Sequence, residues 1–379
     1  MDAFSKAVLN FSMDLFKEMQ KTEQNKNMFC SPLSIFIALK MLMSGAGGNT
    51  KSQIEKVLHA SEEGSSSKSS KQCEEAQQSS IEELLSIQTG KNDKLSIANG
   101  AFIKQLFPLE EKFLQILKKC YRAEVNSVDF KTNPEAERQK INEWVESKTE
   151  RKIRELFAQG SVNNSSVLVL VNAVYFKGTW ANKFDEKNTK EGTFHMNKTE
   201  TKKVQMMSKS GKFKYADLPE IKSKALMMPY ESGISMIIVL PNEIDGLKVM
   251  KNATADLIIN WLEKQKLTET EVDLTMPKFT MEAGYDLIPM LKSMGMNDVF
   301  KENADLSGIS KTKGLYVSSV VHKSAIQVNE EGTEAAAATG VGISVTSLPM
   351  REKFNVDHPF IIFLIKNKLI LFQGVIVSP

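Results

Sequence analysis

The stretch NEEGTEAAAATG, residues 329–340, lies close to the C-terminal end of a chain that is otherwise rich in bulky apolar runs. Four consecutive alanines follow a mixture of acids, glycine and threonine, and nothing in the stretch is large enough to fill a core. Alanine favours a helix, whereas glycine and the charges favour a loop. The stretch alone is therefore compatible with an exposed linker or a short solvated helix, and also with a segment that changes its structure.

Length and composition define the broad class of the protein. With 379 residues, of which 41% are hydrophobic, the chain can bury a large core. The 49 basic and 46 acidic residues leave a formal charge of +3, so net charge indicates neither nucleic acid nor an anionic membrane as a partner. No apolar run reaches the roughly 18 residues expected of a membrane span.

The cysteines and the N-terminus indicate the compartment. Cys30, Cys73 and Cys120 are odd in number and widely spaced, which argues against a disulfide framework and for a reducing environment. Residues 1–20 place apolar side chains at helical spacing and are interrupted by charges, unlike a signal peptide. We expect a cytoplasmic protein, and release to the extracellular space without a signal peptide stays open.

The first part of the chain carries helical signals. Ser31 is a predicted N-cap followed by a proline, and Thr50 and Gln53 have the spacing of a capping box. Residues 134–157 are predicted to form one long charged helix. The serine-rich, low-complexity stretch at about 60–80 is predicted to be a mobile surface loop between helices.

The later part of the chain is dominated by strand-like apolar runs. The predicted strands lie at 166–178, 225–242, 272–279, 316–328 and, as a pair joined at 366–368, within 358–379. No proline- or glycine-rich linker separates the two parts, and no fixed-period repeat is present. We therefore predict a single α+β domain over residues 1–379.

Enzyme motifs are largely absent. A serine hydrolase elbow needs Gly-x-Ser-x-Gly, and the nearest strings, at Gly233 and Gly342, lack the closing glycine. The string GAGGNTKS at 45–52 lacks the lysine spacing and the preceding strand of a phosphate-binding loop. The four histidines have no metal-ligand spacing. We predict no catalytic residue, no metal and no cofactor, although a Cys/His pair stays open.

Five strings of the sequence resemble the recurrent segments of the serpin family. They are FCSPLSIFIAL (29–39), VNAVYFKGTW (171–180), MPKF (276–279), EEGTEAAAAT (330–339) and FNVDHPFIIFL (354–364). They fall in the family's order and cover essentially the whole chain. The resemblance implies an α+β fold of three β-sheets and eight or nine helices, with an exposed reactive-centre loop at about 330–353. The missing signal peptide, the serine-rich loop and the DHPF spacing resemble the intracellular, ovalbumin-like branch of inhibitory serpins.

The resemblance also implies a function for the alanine run. In inhibitory serpins a protease cleaves the exposed loop, and the freed segment inserts into the largest sheet as a new strand. The implied hinge consists of Glu330, Glu331, Gly332, Thr333, Glu334, Ala335, Ala336, Ala337, Ala338 and Thr339. Period-two alternation places Thr333 and other small residues on the inward face, and the charge of Glu334 on the outward face.

The reactive bond follows from the same resemblance. The count used for the family's inhibitors, from the first glutamate of the hinge, places it at Thr346–Ser347. Thr346 is small and β-branched and suits a shallow apolar primary pocket, so an elastase-like protease is favoured. Leu348 and Val345 are alternative sites, and Arg351 is the trypsin-like option.

A polar cluster that lets the sheet open is implied as well. Ser31, Ser34, Asn172 and His322 match the residues beneath the point where the sheet parts, and Trp180 matches the tryptophan where insertion begins. Small polar groups that can exchange hydrogen bonds suit an opening sheet. The same residues are also compatible with a helix cap, satisfied core polar groups and plain core packing.

These observations predict a monomeric serine protease inhibitor that acts as a suicide substrate. Its expected targets are elastase-like or chymotrypsin-like proteases, with cysteine proteases as a further class. The alternative is a non-inhibitory serpin that acts as a binding module, carrier or chaperone, and such proteins tend to carry proline, charge or bulk in the hinge. Gly340 and Gly342 depart from the inhibitory pattern, since glycine weakens an inserted strand.

Overall fold

The computed structural model describes residues 3–23, 25–60, 94–121, 123–247, 267–331 and 351–379. Its α-helices are α1 (Ala3–Thr22), α2 (Pro32–Ser44), α3 (Gly48–Val57), α4 (Glu111–Ile116), α5 (Pro134–Lys148) and α6 (Ile288–Ser293). Its strands are β1 (Met28–Cys30), β2 (Lys94–Lys104), β3 (Glu124–Val128), β4 (Leu168–Lys177), β5 (Lys190–His195), β6 (Thr201–Leu218), β7 (Ser223–Pro229), β8 (Ser235–Pro241), β9 (Thr268–Pro277), β10 (Phe279–Asp286), β11 (Val317–Val328), β12 (Glu352–Asn355), β13 (Phe360–Lys366) and β14 (Leu369–Ile376). Among the described helices, none combines the length and apolar character that crossing a bilayer requires.

A five-stranded sheet in the order β10-β11-β4-β2-β3 carries the candidate site. β10 pairs antiparallel with β11, and β2 antiparallel with β4, but β11 and β4 run parallel. Their register extends from Val317 opposite Leu168 to Ile326 opposite Phe176. Because the two strands are parallel, the chain leaves β11 at the end of the sheet where β4 also ends.

Apolar side chains cover both faces of this sheet at β4, because successive residues of a strand point to opposite sides. On one side, Leu170 and Val174 belong to the large core that also contains side chains of α1 and α2. On the other side, Val171 and Tyr175 pack with Ile141 of α5 in a second core. Burial on both faces explains why this strand has a nearly continuous apolar sequence.

The second sheet has nine strands, in the order β1-β14-β13-β8-β7-β6-β9-β12 with β5 also paired to β6. The long strand β6 pairs with β5 and β9 over much of its length, and with β7 only from Lys214 to Leu218. It therefore joins two of the three predicted sheets into one hydrogen-bonded array. Six α-helices lie within the described ranges, against eight or nine expected for the whole chain. Residues 61–80 of the predicted serine-rich loop lie outside the described residues.

The charged helix predicted over 134–157 is shorter than its pattern suggests. It ends at Lys148, because Glu150 and Arg151 adopt left-handed backbone angles with φ of 51° and 61°. The segment that follows is held by Asn142, whose side chain accepts the amide of Phe157 at 2.9 Å and donates to its carbonyl at 2.9 Å. These contacts keep the segment packed over the five-stranded sheet.

The capping box predicted at Thr50 and Gln53 is wrong. The N-cap of α3 is Gly47, and both side chains lie inside the helix. Thr50 Oγ1 accepts the amide of Asp305 at 3.0 Å, and Gln53 Oε1 accepts two backbone amides of the same distant loop at 2.8 Å each. A tertiary contact therefore uses the two polar side chains that a local spacing rule assigns to the cap.

Three strand predictions also need correction or extension. The run 225–242 is a hairpin, since the chain turns at Gly233 (φ 78°) between β7 and β8. The run 272–279 is divided between β9 and β10, which belong to different sheets. β1, β2, β3, β5, β6 and β12 are not predicted, because they are short or mix polar with apolar residues. The hairpin turn between the last two strands is confirmed, and Asn367 and Lys368 both have positive φ there.

Candidate functional site

A buried polar cluster lies at the middle of the parallel β4–β11 pair. His322 and Asn172 are register partners on the two strands, and the ring Nδ1 of His322 lies 2.5 Å from Asn172 Oδ1. The ring Nε2 accepts the backbone amide of Ser31 at 3.1 Å. Asn172 Nδ2 donates to Ser34 Oγ at 2.5 Å and to Asn99 Oδ1. Four of the five residues predicted for the sheet-opening cluster are thus in one hydrogen-bonded network.

The local structure of each element explains how the network is assembled. Ser31 caps α2, where its Oγ accepts the amide of Ser34 at 3.3 Å and donates to the carbonyl of Leu371 at 2.7 Å. The helix start therefore points polar groups at the back of the sheet. Asn99 of β2 pairs with Asn172 in the antiparallel register and joins the network from the far side. Sequence reasoning missed Asn99, whose only signal is a polar residue within the mixed string LSIANGAF.

His322 is held in its neutral form. Burial lowers the pKa of His322 to about 3, because desolvation penalises the charged ring. The hydrogen bond with Asn172 acts in the opposite direction and raises the pKa, but burial outweighs it. Nε2 accepts the Ser31 amide, so its lone pair is occupied by that hydrogen bond. The ring also stacks on Tyr285, with centroids 6.5 Å apart. The cluster therefore presents exchangeable dipoles and no charge.

Trp180 lies apart from this cluster, beyond the end of β4. Its ring stacks on Tyr230 with centroids 4.1 Å apart, and its ring N–H donates to the carbonyl of Asn329 at 3.0 Å. Asn329 follows the last residue of β11. Trp180 is thus in contact with the chain at the point where the predicted hinge begins.

The first two hinge residues, Glu330 and Glu331, are buried and bound on both sides. Their carbonyls accept the backbone amides of Phe184 and Trp180, each at 2.8 Å. The carboxylate of Glu331 pairs with Lys183 at 3.2 Å. This backbone and side-chain binding fixes the base of the predicted reactive loop to the segment that follows β4.

Glu330 makes the stronger of the two anchors. Its side chain is 5% exposed, pairs with Lys278 Nζ at 2.8 Å, and accepts the hydroxyl of Thr189 at 2.7 Å. Burial raises the pKa of Glu330, but the hydrogen bonds from Lys278 and Thr189 outweigh it and hold the pKa below its usual value. Lys278 is the residue between β9 and β10, so the anchor joins the base of the loop to the connection between the two sheets. Sequence reasoning identified Glu330 as a hinge residue but not its partners.

The other end of the loop is fixed as well. Arg351, the first described residue after the loop, lies 3.6 Å from Asp273 and 3.9 Å from Glu271, both on β9. β12 then continues in parallel pairing with β9. The predicted hinge residues from Gly332 to Thr339 and the predicted reactive bond Thr346–Ser347 lie outside the described residues.

Comparison with known proteins gives a single family. The model of the family described as "Serpin (serine protease inhibitor)" matches residues 6–379. Human Serpin B4 is 43% identical and the horse leukocyte elastase inhibitor 39% identical, each over the full length of both chains. The crystal structure of uncleaved ovalbumin superposes with a TM-score of 0.90 at 31% identity and covers all of both chains. The chain belongs to the serpin family, and the predicted fold class is confirmed.

The neutral His322 makes stability depend on pH. The folded chain keeps the ring unprotonated down to a pKa of about 3, whereas the unfolded chain takes up the proton near pH 6.5. The unfolded state therefore binds more protons between these values, and stability is complete above about pH 6.5 and falls as pH is lowered, by up to about 1.4 kcal/mol per unit. We expect the urea midpoint to fall from pH 7 to pH 5, and to fall less in His322→Gln. Equal slopes for both proteins would contradict the assignment.

The Glu330–Lys278 pair should show strong coupling. Glu330→Gln and Lys278→Gln should each lower the thermal midpoint, because the first removes the buried end of the pair and the second leaves the buried Glu330 carboxylate without its counter-charge. The free energy of unfolding should fall less in the double variant than the sum of the falls in the two single variants, and the difference, the coupling energy, should be at least about 1 kcal/mol. Lys301→Gln is the matched control, since its pair with Asp298 at 3.2 Å is on the surface and should contribute little. Additive losses at Glu330 and Lys278 would show that the anchor is not energetically significant.

Proposed function

We propose that this serpin inhibits serine proteases as a suicide substrate, by inserting its cleaved loop between β4 and β11. The observation that carries the proposal is the parallel pairing of these two strands, next to the point where the loop begins. A segment that re-enters the sheet from the end of β11 runs antiparallel to β11 and, because β4 is parallel to β11, antiparallel to β4 as well. Insertion would thus replace one parallel pairing with two antiparallel ones.

The energetics of such an exchange are favourable. Antiparallel pairing is slightly more stable per residue than parallel pairing, and insertion adds a strand's worth of hydrogen bonds. About a dozen inserted residues, at roughly 1 kcal/mol net per new bond, amount to on the order of 10 kcal/mol. The described form, with β4 and β11 in direct contact, is therefore able to gain stability once the loop is free to move.

The composition of the hinge fits this space. β4 is buried on both faces, so a strand beside it would lie between the large core and the core beneath α5. Thr333, Ala335 and Ala337 keep the inward face small, and on the other face Ala336 and Ala338 follow Glu334, the one charged residue of this run. Bulky or charged side chains on the inward face would force the inserted strand away from the large core, at a cost in packing and desolvation.

The consequence for a bound protease would be mechanical. Insertion at roughly 3.3 Å per residue moves the attached acyl-enzyme by some 40 Å along the sheet. Loss of a single oxyanion-hole donor already slows acyl hydrolysis about 10²–10³-fold. A protease whose active site is pulled out of shape by that amount would remain as a stalled ester, and the inhibitor would be consumed.

The described residues favour some targets over others. Arg351 is the alternative reactive residue that a trypsin-like protease would select. Its guanidinium lies beside two carboxylates of β9, which makes it less accessible to the primary pocket of a protease. The similarity to a protein named leukocyte elastase inhibitor agrees with an elastase-like target. Cys30 is a buried free thiol, which agrees with action in a reducing compartment such as the cytoplasm.

A detergent-stable complex is the direct test. With a leukocyte or pancreatic elastase, or with chymotrypsin, we expect a 1:1 complex that survives boiling in dodecyl sulfate. Thr333→Arg should abolish the complex while the loop is still cleaved, because burying a guanidinium at the start of insertion costs several kcal/mol. Every 1.4 kcal/mol changes the ratio of trapped to released protease by about tenfold. Glu334→Arg is the matched control, because position 334 already carries a charge on the opposite face, and it should still form the complex.

The outcomes separate the two candidate functions. A protein that is only cleaved, with the protease fully active, would be a non-inhibitory serpin that acts as a binding module, carrier or chaperone. Loss of the complex in both variants would show that the predicted faces of the hinge are wrong.

The reactive bond can be read from the same complex. We expect cleavage after Thr346, because a shallow apolar pocket accepts a small β-branched residue, and a released C-terminal peptide that begins at Ser347. Mass spectrometry of the denatured complex measures this directly. A peptide that begins at Glu352 would place the bond after Arg351 and would contradict both the count and the elastase-like preference.

A further inference from the structure

A cleft of about 630 Å³ opens between β6 and β7, where the two strands stop pairing. β6 pairs with β7 only as far as Lys214 opposite Met227, so the residues of β6 before Lys214 and those of β7 after Met227 diverge. We call this space the β6–β7 cleft. Its volume is that of a site for a small organic molecule.

The lining of the β6–β7 cleft is positively charged. Lys209, Lys212 and Lys214 of β6 line it, against a single carboxylate, Glu269. Lys212 and Lys214 are two residues apart on one strand, and their side chains therefore lie on the same face, whereas Lys209 and Phe213 lie on the other side of the strand. Because the cleft lies between two diverging strands, residues from both sides of β6 border it. A concave surface with an excess of one charge concentrates ligands of the opposite charge.

Lys209 is the most distinctive of the three lysines. Its ammonium group donates to the backbone carbonyls of Asn182 at 2.7 Å and Lys183 at 3.1 Å, and it lies 5.9 Å from the centre of the Phe184 ring. Burial lowers the pKa of Lys209 to about 8, because these neutral partners do not replace the lost hydration of a cation. An anion in the cleft would supply the counter-charge that the described partners do not.

Apolar side chains complete the lining. Phe213, Met227, Met228 and Pro229 line the cleft beside the lysines. An apolar wall next to a cationic one selects a ligand with an apolar body and one anionic group. Inorganic phosphate or sulfate would satisfy the lysines but leave this wall in contact with water.

We propose that the β6–β7 cleft binds small organic anions with an aromatic or short aliphatic body, and that a bound anion draws Lys209 away from the carbonyls of Asn182 and Lys183. Those carbonyls belong to the segment that also holds the base of the reactive loop, through Lys183 on Glu331 and the amide of Phe184 on the carbonyl of Glu330. Occupancy of the cleft would thereby loosen the hinge, a consequence for inhibition that rests on the proposed function.

Binding is tested with a matched pair of fluorescent probes. 1-Anilinonaphthalene-8-sulfonate has the predicted chemistry, and N-phenyl-1-naphthylamine has the same rings without the sulfonate. We expect the sulfonate to bind more tightly, and Lys212→Gln/Lys214→Gln to weaken it at least about tenfold through loss of charge-assisted contacts. Lys203→Gln is the control, because Lys203 is an exposed lysine of the same strand that pairs with Glu191 instead. Equal affinity in all variants, or equal binding of the neutral probe, would overturn the site.

The link to the hinge is tested by hydrogen exchange. The amides of Trp180 and Phe184 are protected by the carbonyls of the two hinge glutamates. We expect both amides to exchange faster, relative to those of β4, when the sulfonate probe is bound, and Lys209→Met to show the faster exchange without the probe. If the probe binds but the amides of Trp180 and Phe184 exchange at the same rate or more slowly, the link between the cleft and the hinge is refuted. Neither measurement uses a protease, so its failure is distinct from failure of the proposed inhibition.

Discussion

β4 and β11 run parallel and in direct contact at the centre of the five-stranded sheet, with hydrogen bonds from Val317 opposite Leu168 to Ile326 opposite Phe176. The parallel direction has a consequence that an antiparallel pair would not have. It brings the C-terminal ends of both strands to one edge of the sheet, so the chain that leaves β11 starts beside the line along which the two strands pair. If that chain turned back between β4 and β11, its backbone could form hydrogen bonds with both strands. The positions of Trp180, Glu330 and Glu331 follow from that arrangement.

The polar groups around this pair divide into two kinds. Along the seam between the strands the network of His322, Asn172 and Ser31 is neutral, and burial keeps it so. Neutral dipoles can be parted and re-paired at about 1 kcal/mol each, whereas a buried ion pair costs several kcal/mol when one partner leaves. Charges are placed instead at the ends of the loop, where the buried Glu330 pairs with Lys278 and the partly exposed Arg351 lies beside Glu271 and Asp273 of β9. The β4–β11 pair therefore carries neutral hydrogen bonds between the strands and charged contacts at the two ends of the loop, a distribution that agrees with the proposed insertion.

Local signals in the sequence were sufficient for some of these features and not for others. The helix start at Ser31 and the buried strand β4 could be predicted, because a cap and a continuous apolar run are signals within a few residues. The contact of His322 with Asn172 joins positions 150 residues apart and came only from family resemblance. The partners of Glu330 and the role of Asn99 were missed, since both depend on strand register. The early end of α5 depends on left-handed backbone at Glu150 that its charged sequence does not show.

The two charged ends explain why cleavage would be needed at all. While the loop is intact, Glu331 is bound behind Trp180, and Arg351 is bound to Glu271 and Asp273 at the start of β12. Each hinge residue that entered the sheet would shorten the loop that remains outside it, and the other end of that loop is held at Arg351. Insertion into the intact chain would therefore stop when the loop is fully extended. In the proposed mechanism, cleavage of the loop would release the end attached at Arg351 and leave the end attached at Glu331 in place, and the inserted strand could then extend along β4. Hydrolysis of the loop would thus change the strand order of the sheet. The freed segment would move along β4 away from Glu331, because that attachment remains when the one at Arg351 is lost.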